Sequence, residues 1–524
     1  FPPTAVDNTT RKANRGEPGP MPPSFQAYSR ASCRYCREEP SLSGGRLGVG
    51  LGPEFKAGNL FPISAEYSTL QPFKSSRSSS ALNVSVKEME RPSTDLEPST
   101  QTVTSPDFDV NRTGGVKLPT PSGPYKVSVA DFEADVCDGT ITRLYYPCDD
   151  PELSADAYWL PTWRTAQGYA EYARIPRLLA VPVLMYLAGS ERKPVSENKP
   201  LASCSKHDSY AHSSIERDAV GVRFKAEDCL SEPLHPEFPV VVFSHGLAGM
   251  RTTYSSICSD LASQGFVVAA VEHRDGSACI TWKDGTKVSV QHPTKESEAK
   301  DGSLSFRKAQ LDQRVREVNA AMAALKALND GDDIGCKYDS RHGGARLTQS
   351  RSFKGRLNLG SAVLAGHSFG AATAIAACSR DAEWGFRACI ALDPWLYAFS
   401  HEEAARVGSS GSLPPLLVIS NERFQWESNL RKARALLAGA GKGSALATMR
   451  GAGHMSQSDC PVMFAWAMSL LRIRFDVDPR LSLRLNAALC HSFLSRAGVG
   501  LCRAAAPWLK SPGTAPPEVS IELL

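Results

Sequence analysis

One serine in this chain stands in surroundings suited to nucleophilic chemistry. Ser368 lies in the pentapeptide Gly366-His-Ser-Phe-Gly370, after the apolar run 362–365 and before the small residues 371–374. This pattern predicts a strand, a sharp turn and a helix, and the glycines leave room that a side chain would fill. Such a turn holds the serine hydroxyl at the edge of a sheet as a nucleophile. A serine that only caps the helix is the alternative interpretation.

A serine hydroxyl needs a base and an acid before it can attack an ester. A histidine takes its proton, and a carboxylate orients the imidazole and stabilises its charge. After a nucleophile on this kind of turn, the acid comes first in the chain and the histidine second. Asp393 follows the apolar run 389–392 and is predicted as the acid. His454 ends the small-residue loop 449–454 and is predicted as the base.

Other acids and histidines fit these two roles less well. They are His401, His491, Asp381 and Asp459 after the serine, and His273 and Asp275 before it. His401 follows Asp393 too closely for a separate loop to present it, and His491 falls in a predicted helix. Because His273 and Asp275 precede Ser368, they are predicted to form ion pairs or hydrogen bonds around the site.

The oxyanion formed during acyl transfer needs two backbone N–H donors. Phe369, directly after the nucleophile, is predicted to supply the first. Leu247 is assigned as the second, because Ser244-His-Gly-Leu-Ala-Gly249 follows an early strand and carries two glycines. His245 is a candidate for orienting this loop, and simple packing is the alternative role for its ring.

Strands and helices alternate around these residues. Strands are predicted at 140–146, 239–244, 266–271, 389–392 and 416–420, and helices at 253–264, 307–328, 429–437, 462–472 and 480–495. Residues 283–305 and 330–356 are polar and are predicted as loops. Continuous apolar strands separated by helices indicate an α/β protein with a mainly parallel, doubly wound sheet. With the nucleophile turn, this predicts the α/β-hydrolase fold.

Composition divides the 524 residues into three predicted parts. Residues 1–120 are rich in Pro, Ser, Thr and Gly and are predicted to be a disordered extension. Residues 121–500 form the predicted catalytic domain, and 501–524 a C-terminal tail. A net charge of +4 argues against nucleic-acid binding, and no apolar run is long enough for a membrane span. The chemistry requires no metal or organic cofactor, and the compartment stays open between cytoplasmic and secreted.

Longer motifs resemble the platelet-activating factor acetylhydrolases of the plasma and intracellular type. They are Phe243-Ser-His-Gly-Leu247, Asp260-Leu-Ala-Ser-Gln-Gly-Phe-Val-Val-Ala-Ala-Val-Glu-His-Arg-Asp275, Gly366-His-Ser-Phe-Gly370, Ile390-Ala-Leu-Asp-Pro-Trp395 and Met449-Arg-Gly451 followed by His454. The resemblance implies a calcium-independent serine esterase that removes acetyl or other short, often oxidised, acyl groups from the sn-2 position of glycerophospholipids. It also implies the same triad and the same oxyanion donors as the residue patterns above.

The resemblance further implies contact with lipid surfaces, which members make through apolar helical segments before the first core strand. The corresponding region here is 169–188, and the expected contact residues are Leu178, Leu179, Val183, Leu184 and Leu187. An ordinary buried helix with a proline kink is the alternative interpretation. Two other functions stay open: a broader carboxylesterase, lipase or polyester hydrolase, and a catalytically silent lipid- or protein-binding module.

Overall fold

The structure is a computed structural model that describes residues 118–133, 140–149, 157–189, 195–203, 237–332, 334, 338–381, 383–470, 475–500 and 507–523. The predicted extension therefore lies outside the described residues as far as position 117. The strands are β1 Lys126–Glu133, β2 Ile141–Cys148, β3 Ser196–Glu197, β4 Phe238–Ser244, β5 Val267–Glu272, β6 Ile280–Lys283, β7 Thr286–Ser289, β8 Leu357–His367, β9 Ala388–Leu392, β10 Leu416–Asn421, β11 Ala445–Met449 and β12 Val519–Leu523. The α-helices are α1 Trp163–Tyr172, α2 Arg177–Leu187, α3 Ser255–Ser263, α4 Lys295–Asp301, α5 Leu304–Asp330, α6 Phe369–Ser379, α7 His401–Ser409, α8 Glu427–Ala438, α9 Cys460–Met463, α10 Ala465–Leu470 and α11 Pro479–Arg496.

A ten-stranded sheet of described residues organises the molecule. Its strand order is β12-β11-β10-β9-β8-β4-β5-β2-β1-β3. From β11 to β5 every neighbouring pair is parallel, while β2 runs antiparallel to β5 and β12 runs antiparallel to β11. The mainly parallel sheet with crossover helices confirms the predicted α/β-hydrolase architecture.

Both faces of this sheet are covered, which explains why its central strands are continuously apolar. Val240 and Val242 of β4 point into one hydrophobic cluster, and Val241 and Phe243 point into another. Helices α5 and α6 pack in the first cluster, and α3 and α11 pack in the second. Since successive side chains of a strand alternate between faces, a strand buried on both sides needs apolar residues at every position.

The segments predicted as loops contain more structure than expected. Residues 283–305 include β7, helix α4 and the first residues of α5. A helix is recognised in sequence by apolar residues that recur on its buried face. Helix α4 contains no buried residue, so no such repeat indicates it. The predicted loop 330–356 contains two short 3₁₀ turns, and α7 was not predicted.

The C-terminal segment predicted as a tail contributes to the sheet. Strand β12 pairs along its whole length with β11, from Ala445 opposite Leu523 to Met449 opposite Val519. Trp508 and Leu509 are buried in the cluster that contains α3 and α11. The described part of this segment, 507–523, therefore covers an edge strand that would otherwise present unpaired backbone groups.

Candidate active site

Ser368 lies at a strained turn between β8 and α6. Its backbone has φ 57° and ψ −118°, which is a rare conformation for a residue with a side chain. A Cβ at Gly366 would stand 2.3 Å from the Gly370 carbonyl oxygen, and one at Gly370 would stand 2.0 Å from the Ser244 carbonyl oxygen. Both positions thus require glycine because the turn packs directly against itself and against the end of β4.

The structure brings Ser368, His454 and Asp393 into one hydrogen-bonded line. The distance from Ser368 Oγ to His454 Nε2 is 2.9 Å, and that from His454 Nδ1 to Asp393 Oδ2 is 2.7 Å. The carboxylate accepts from Nδ1, so Nε2 is free to accept the serine proton. This is the arrangement in which an imidazole acts as a general base toward a serine hydroxyl.

Burial sets the charge states of this line. Burial lowers the pKa of His454 to about 3, so the resting imidazole is neutral and can accept a proton. Burial acts in the opposite sense on the acid: it raises the pKa of the Asp393 carboxyl, and N–H groups of Asn421 oppose that rise. Ser368 is 5% exposed, so the reacting groups lie below the surface.

Asp393 is held at the end of β9 by the neighbouring strand β10. The Asp393 N–H donates to the Ile419 carbonyl at 2.6 Å, and the Asn421 N–H donates to Asp393 Oδ1 at 2.8 Å. The Asn421 side chain then donates to the Gly453 carbonyl at 2.7 Å, next to His454. Asn421 therefore links the acid to the loop that carries the base, a role that sequence reasoning missed.

The loop after β4 lies beside the nucleophile. A Cβ at Gly246 would be 3.1 Å from Ser368 Cβ, so this backbone passes close to the serine. The Gly246 N–H donates to Tyr254 Oη at 3.1 Å and the Ala248 N–H donates to the Ser277 carbonyl at 2.7 Å. The backbone is thus fixed on both sides of Leu247, the residue assigned as an oxyanion donor. Phe369, the other assigned donor, is the first residue of α6.

His245 has a structural role around this loop, and so do His273 and Asp275, which follow β5. Its Nδ1 donates to the Gly246 carbonyl at 2.7 Å and its Nε2 accepts from the His273 N–H at 3.1 Å. His273 also bonds Ser244 Oγ at 2.7 Å. Asp275 forms a buried ion pair with Arg314, whose guanidinium donates to the His245 carbonyl at 2.7 Å. These contacts agree with the predicted structural role of His273 and Asp275.

The weaker acid and base candidates lie elsewhere and have their own partners. Asp459 accepts from Trp159 Nε1 and from the start of α3, and Asp381 accepts from N–H groups of residues 383–386. His401 bonds Ser428 Oγ, and His491 bonds Asp260 Oδ1. None of these four side chains contacts Ser368 among the described residues.

Phe424 and His367 are further site residues that sequence reasoning missed. The Phe424 ring lies nearly parallel to the His454 imidazole, with 3.6 Å between ring centroids. The ring of His367 lies 4.5 Å from that of His454. Phe424 carries no local signal, whereas His367 is inside the pentapeptide and its position alone could have drawn attention.

Among the residues that the structure describes, His367, Asp393 and His454 have possible metal-ligand atoms within 4.8 Å of one another. Their nitrogens already take part in hydrogen bonds: His454 through both nitrogens, and His367 to Tyr254 Oη and the His454 carbonyl. A cation bound there would break the line between serine, histidine and aspartate. The donor set is therefore explained by the hydrogen bonds themselves.

Residues 110–212 and 219–509 match the model of the family described as platelet-activating factor acetylhydrolase, isoform II. The chain belongs to this family. It is 28% identical over 388 residues to the platelet-activating factor acetylhydrolase of dog (Canis lupus familiaris), covering 72% of this chain and 77% of the relative. It is 29% identical over 396 residues to the protein of that name from Bos taurus, covering 73% and 78%.

A solved structure, a ferulic acid esterase from Streptomyces cinnamoneus, aligns with a TM-score of 0.49 and 17% identity over 78% of this chain and 99% of its own. Membership of the acetylhydrolase family makes this chain a hydrolase of the phospholipase and esterase class. Within the described residues, no helix combines the length and the apolar character needed to cross a membrane.

Proposed function

We propose that this chain is a serine esterase that hydrolyses the sn-2 acetyl, or short or oxidised acyl, ester of platelet-activating factor and related glycerophospholipids. One observation carries the proposal: in a member of this family, Ser368 Oγ lies 2.9 Å from an imidazole that is itself bonded to a buried carboxylate. The activity named for its relatives supports the choice of substrate.

The reaction proceeds through an acyl-enzyme in two steps. His454 Nε2 takes the Ser368 proton as Oγ attacks the sn-2 carbonyl carbon, and Asp393 stabilises the imidazolium that forms. The Leu247 and Phe369 N–H groups hold the oxyanion. His454 then protonates the departing lysophospholipid oxygen. In the second step His454 deprotonates a water that attacks the acyl carbon and then returns that proton to Ser368 Oγ as the short carboxylic acid leaves.

Helix α2 is the proposed contact with the lipid surface that holds the substrate. Leu178 and Leu179 are 84% and 68% exposed, and Val183 is also exposed. Leu184 instead packs against the cluster around Trp159, and Leu187 is half-buried. Tyr186, at 80% exposure, joins the exposed set. An apolar surface that is left open on one helix fits an interface with lipid headgroups and acyl chains.

The deciding experiment compares phosphatidylcholines that differ only in their sn-2 chain, acetyl against long acyl, without calcium. We expect acetyl release to be fast and long-acyl release to be slow. Ser368→Ala should reduce turnover by at least about a thousandfold, because it removes the nucleophile. Ser410→Ala, an exposed serine at the end of α7, is the matched control and should leave turnover unchanged.

The other outcomes identify the alternatives. Equal or reversed acyl preference, with turnover still abolished by Ser368→Ala, would indicate a broader lipase or esterase. Turnover that survives Ser368→Ala would overturn the triad. No turnover of any ester and no reaction with a fluorophosphonate would indicate a binding module.

A further inference from the structure

Three hydrogen bonds connect the loop after β4, the nucleophile turn and the loop of His454. The Gly246 N–H donates to Tyr254 Oη at 3.1 Å. Tyr254 Oη lies 2.8 Å from His367 Nδ1, and His367 Nε2 lies 3.1 Å from the His454 carbonyl oxygen. Tyr254 and His367 are 4% and 3% exposed, so this series is shielded from water. It reaches both sides of Ser368 without touching its hydroxyl.

The direction of each proton in the series follows from its ends. A carbonyl oxygen only accepts, so Nε2 of His367 carries the hydrogen that it donates to the His454 carbonyl. Burial lowers the pKa of His367 well below its usual value, so the ring is neutral and Nδ1 is an acceptor. The Tyr254 hydroxyl must then donate to Nδ1, which leaves its oxygen to accept the Gly246 N–H. Every donor in the series then meets an acceptor, whereas the other tautomer of His367 would lose the bond to the His454 carbonyl.

The peptide between Gly246 and Leu247 is oriented by the same region. Its carbonyl oxygen accepts from His245 Nδ1 at 2.7 Å and from the Gly249 N–H at 3.1 Å. A peptide is planar and trans, so the Leu247 N–H points away from that carbonyl. Because the Gly246 N–H is fixed by Tyr254, both ends of the Gly246 residue are held. The two bonds to the Gly246 carbonyl set the direction of the Leu247 N–H, and Tyr254 holds the peptide that precedes it.

We propose that Tyr254 and His367 are positioning residues, which hold the Leu247 amide and the His454 loop in register with Ser368. The inference rests on the proposed esterase function, because it concerns the same reacting groups. Neither side chain touches the scissile ester. Their contribution is that the oxyanion donor and the general base keep one relative placement, as electrostatic catalysis requires.

Tyr254→Phe tests the series by removing a single hydroxyl. We expect kcat for p-nitrophenyl acetate to fall about tenfold to a hundredfold with little change in KM, since the transition-state contacts are displaced and the substrate contacts are not. The rate of Ser368 labelling by a fluorophosphonate should fall in parallel. Tyr146→Phe is the matched control, because the buried Tyr146 hydroxyl donates to the Lys199 carbonyl at 2.7 Å and has no role in the series.

Two substitutions of His367 test its two hydrogen bonds separately. Glutamine places an N–H donor near the former Nε2 and keeps the bond to the His454 carbonyl, whereas asparagine places an acceptor near the former Nδ1 and keeps the bond to Tyr254. We expect each to retain more activity than His367→Ala. Tyr254→Phe should reduce kcat less in the His367→Gln background than in the wild type, because the effects of substitutions within one hydrogen-bond network are not additive.

The readouts separate the failure of this inference from the failure of the proposed function. Unchanged kcat and labelling in Tyr254→Phe would overturn the positioning role, as would equal losses in Tyr254→Phe and Tyr146→Phe with equal shifts in the urea midpoint. A wild type that is labelled but cleaves no phospholipid would overturn the substrate, and the labelling rates would still decide the positioning role. A wild type that is neither labelled nor active would overturn both.

Discussion

At the scale of single residues, the proposed chemistry depends on an imidazole that stays neutral. Only 9% of the His454 side chain is exposed, and this burial lowers its pKa from the usual 6.5 to about 3. The neutral form is the base, so activity is lost only as the pH falls through the lowered pKa. Asp393 Oδ2 lies 2.7 Å from His454 Nδ1 and stabilises the imidazolium once the serine proton has moved to Nε2.

We therefore expect the acid limb of the kcat/KM profile for p-nitrophenyl acetate to lie below pH 6.5, toward about 3. An unperturbed histidine would place it at the usual value. Activity measured again after return to neutral pH controls for unfolding at low pH. An acid limb at or above the usual histidine pKa would contradict the buried, neutral base.

The three residues of the hydrogen-bonded line could be predicted from sequence because each stands in a recognisable local pattern. Ser368 stands between glycines, Asp393 follows an apolar strand, and His454 follows a small-residue loop. No such local sequence pattern surrounds Asn421, Phe424 or Tyr254. They reach the site through contacts with residues far away in the chain, such as Tyr254 with His367, which are 113 positions apart.

At the scale of elements, helix α2 leaves large apolar side chains exposed. The sequence left open whether this apolar segment is buried or faces a lipid surface. The structure exposes one side of it, with Leu178, Leu179 and Tyr186 outward, while Ala180 on the other side is buried. Which residues are outward depends on the helix rotation, and this is set by packing against the cluster around Trp159.

Replacing Leu178, Leu179 and Tyr186 together by serine should weaken binding to phosphatidylcholine vesicles at least about tenfold, because each apolar side chain gains on the order of 1.5 to 3 kcal/mol when fully buried. Hydrolysis of soluble p-nitrophenyl acetate should not change. Co-sedimentation measures the vesicle binding, and the p-nitrophenyl acetate assay measures the hydrolysis. Leu523→Ser, at an exposed apolar residue of β12, is the control. Equal vesicle binding by the triple variant would remove α2 as the contact.

At the scale of the whole molecule, buried charges connect segments that are distant in the chain. Arg251 bonds Glu272 at 2.6 Å and Asp131 at 3.3 Å, and it also donates to the His342 and Gly343 carbonyls at 2.9 Å. Asp131 is in turn paired with Arg143 at 2.7 Å. Burial by itself would raise the pKa of Asp131, but Arg143 and Arg251 hold it below its usual value. This network fastens β1, β2, β5 and the 342–343 turn together.

Arg251→Met should lower the free energy of unfolding by about 3 to 5 kcal/mol, because it leaves Asp131 and Glu272 buried without their shared partner. Urea unfolding measures the loss. Arg431→Met is the matched control: Arg431 pairs with Glu427 on the exposed surface of α8, and removing it should cost less than about 1 kcal/mol. Equal losses in the two variants would show that the buried network adds no stability.

The sequence by itself determined the α/β-hydrolase fold, the family and the residues that form the serine, aspartate and histidine line. Those features depend on residue types at close spacing and on their order along strands and turns, so they can be recognised without coordinates. Only the tertiary structure decided which side of α2 is exposed, that β12 pairs with β11, and that Tyr254 and His367 link the two loops around Ser368. These features depend on hydrogen bonds and packing between distant segments, whose partners no local pattern specifies.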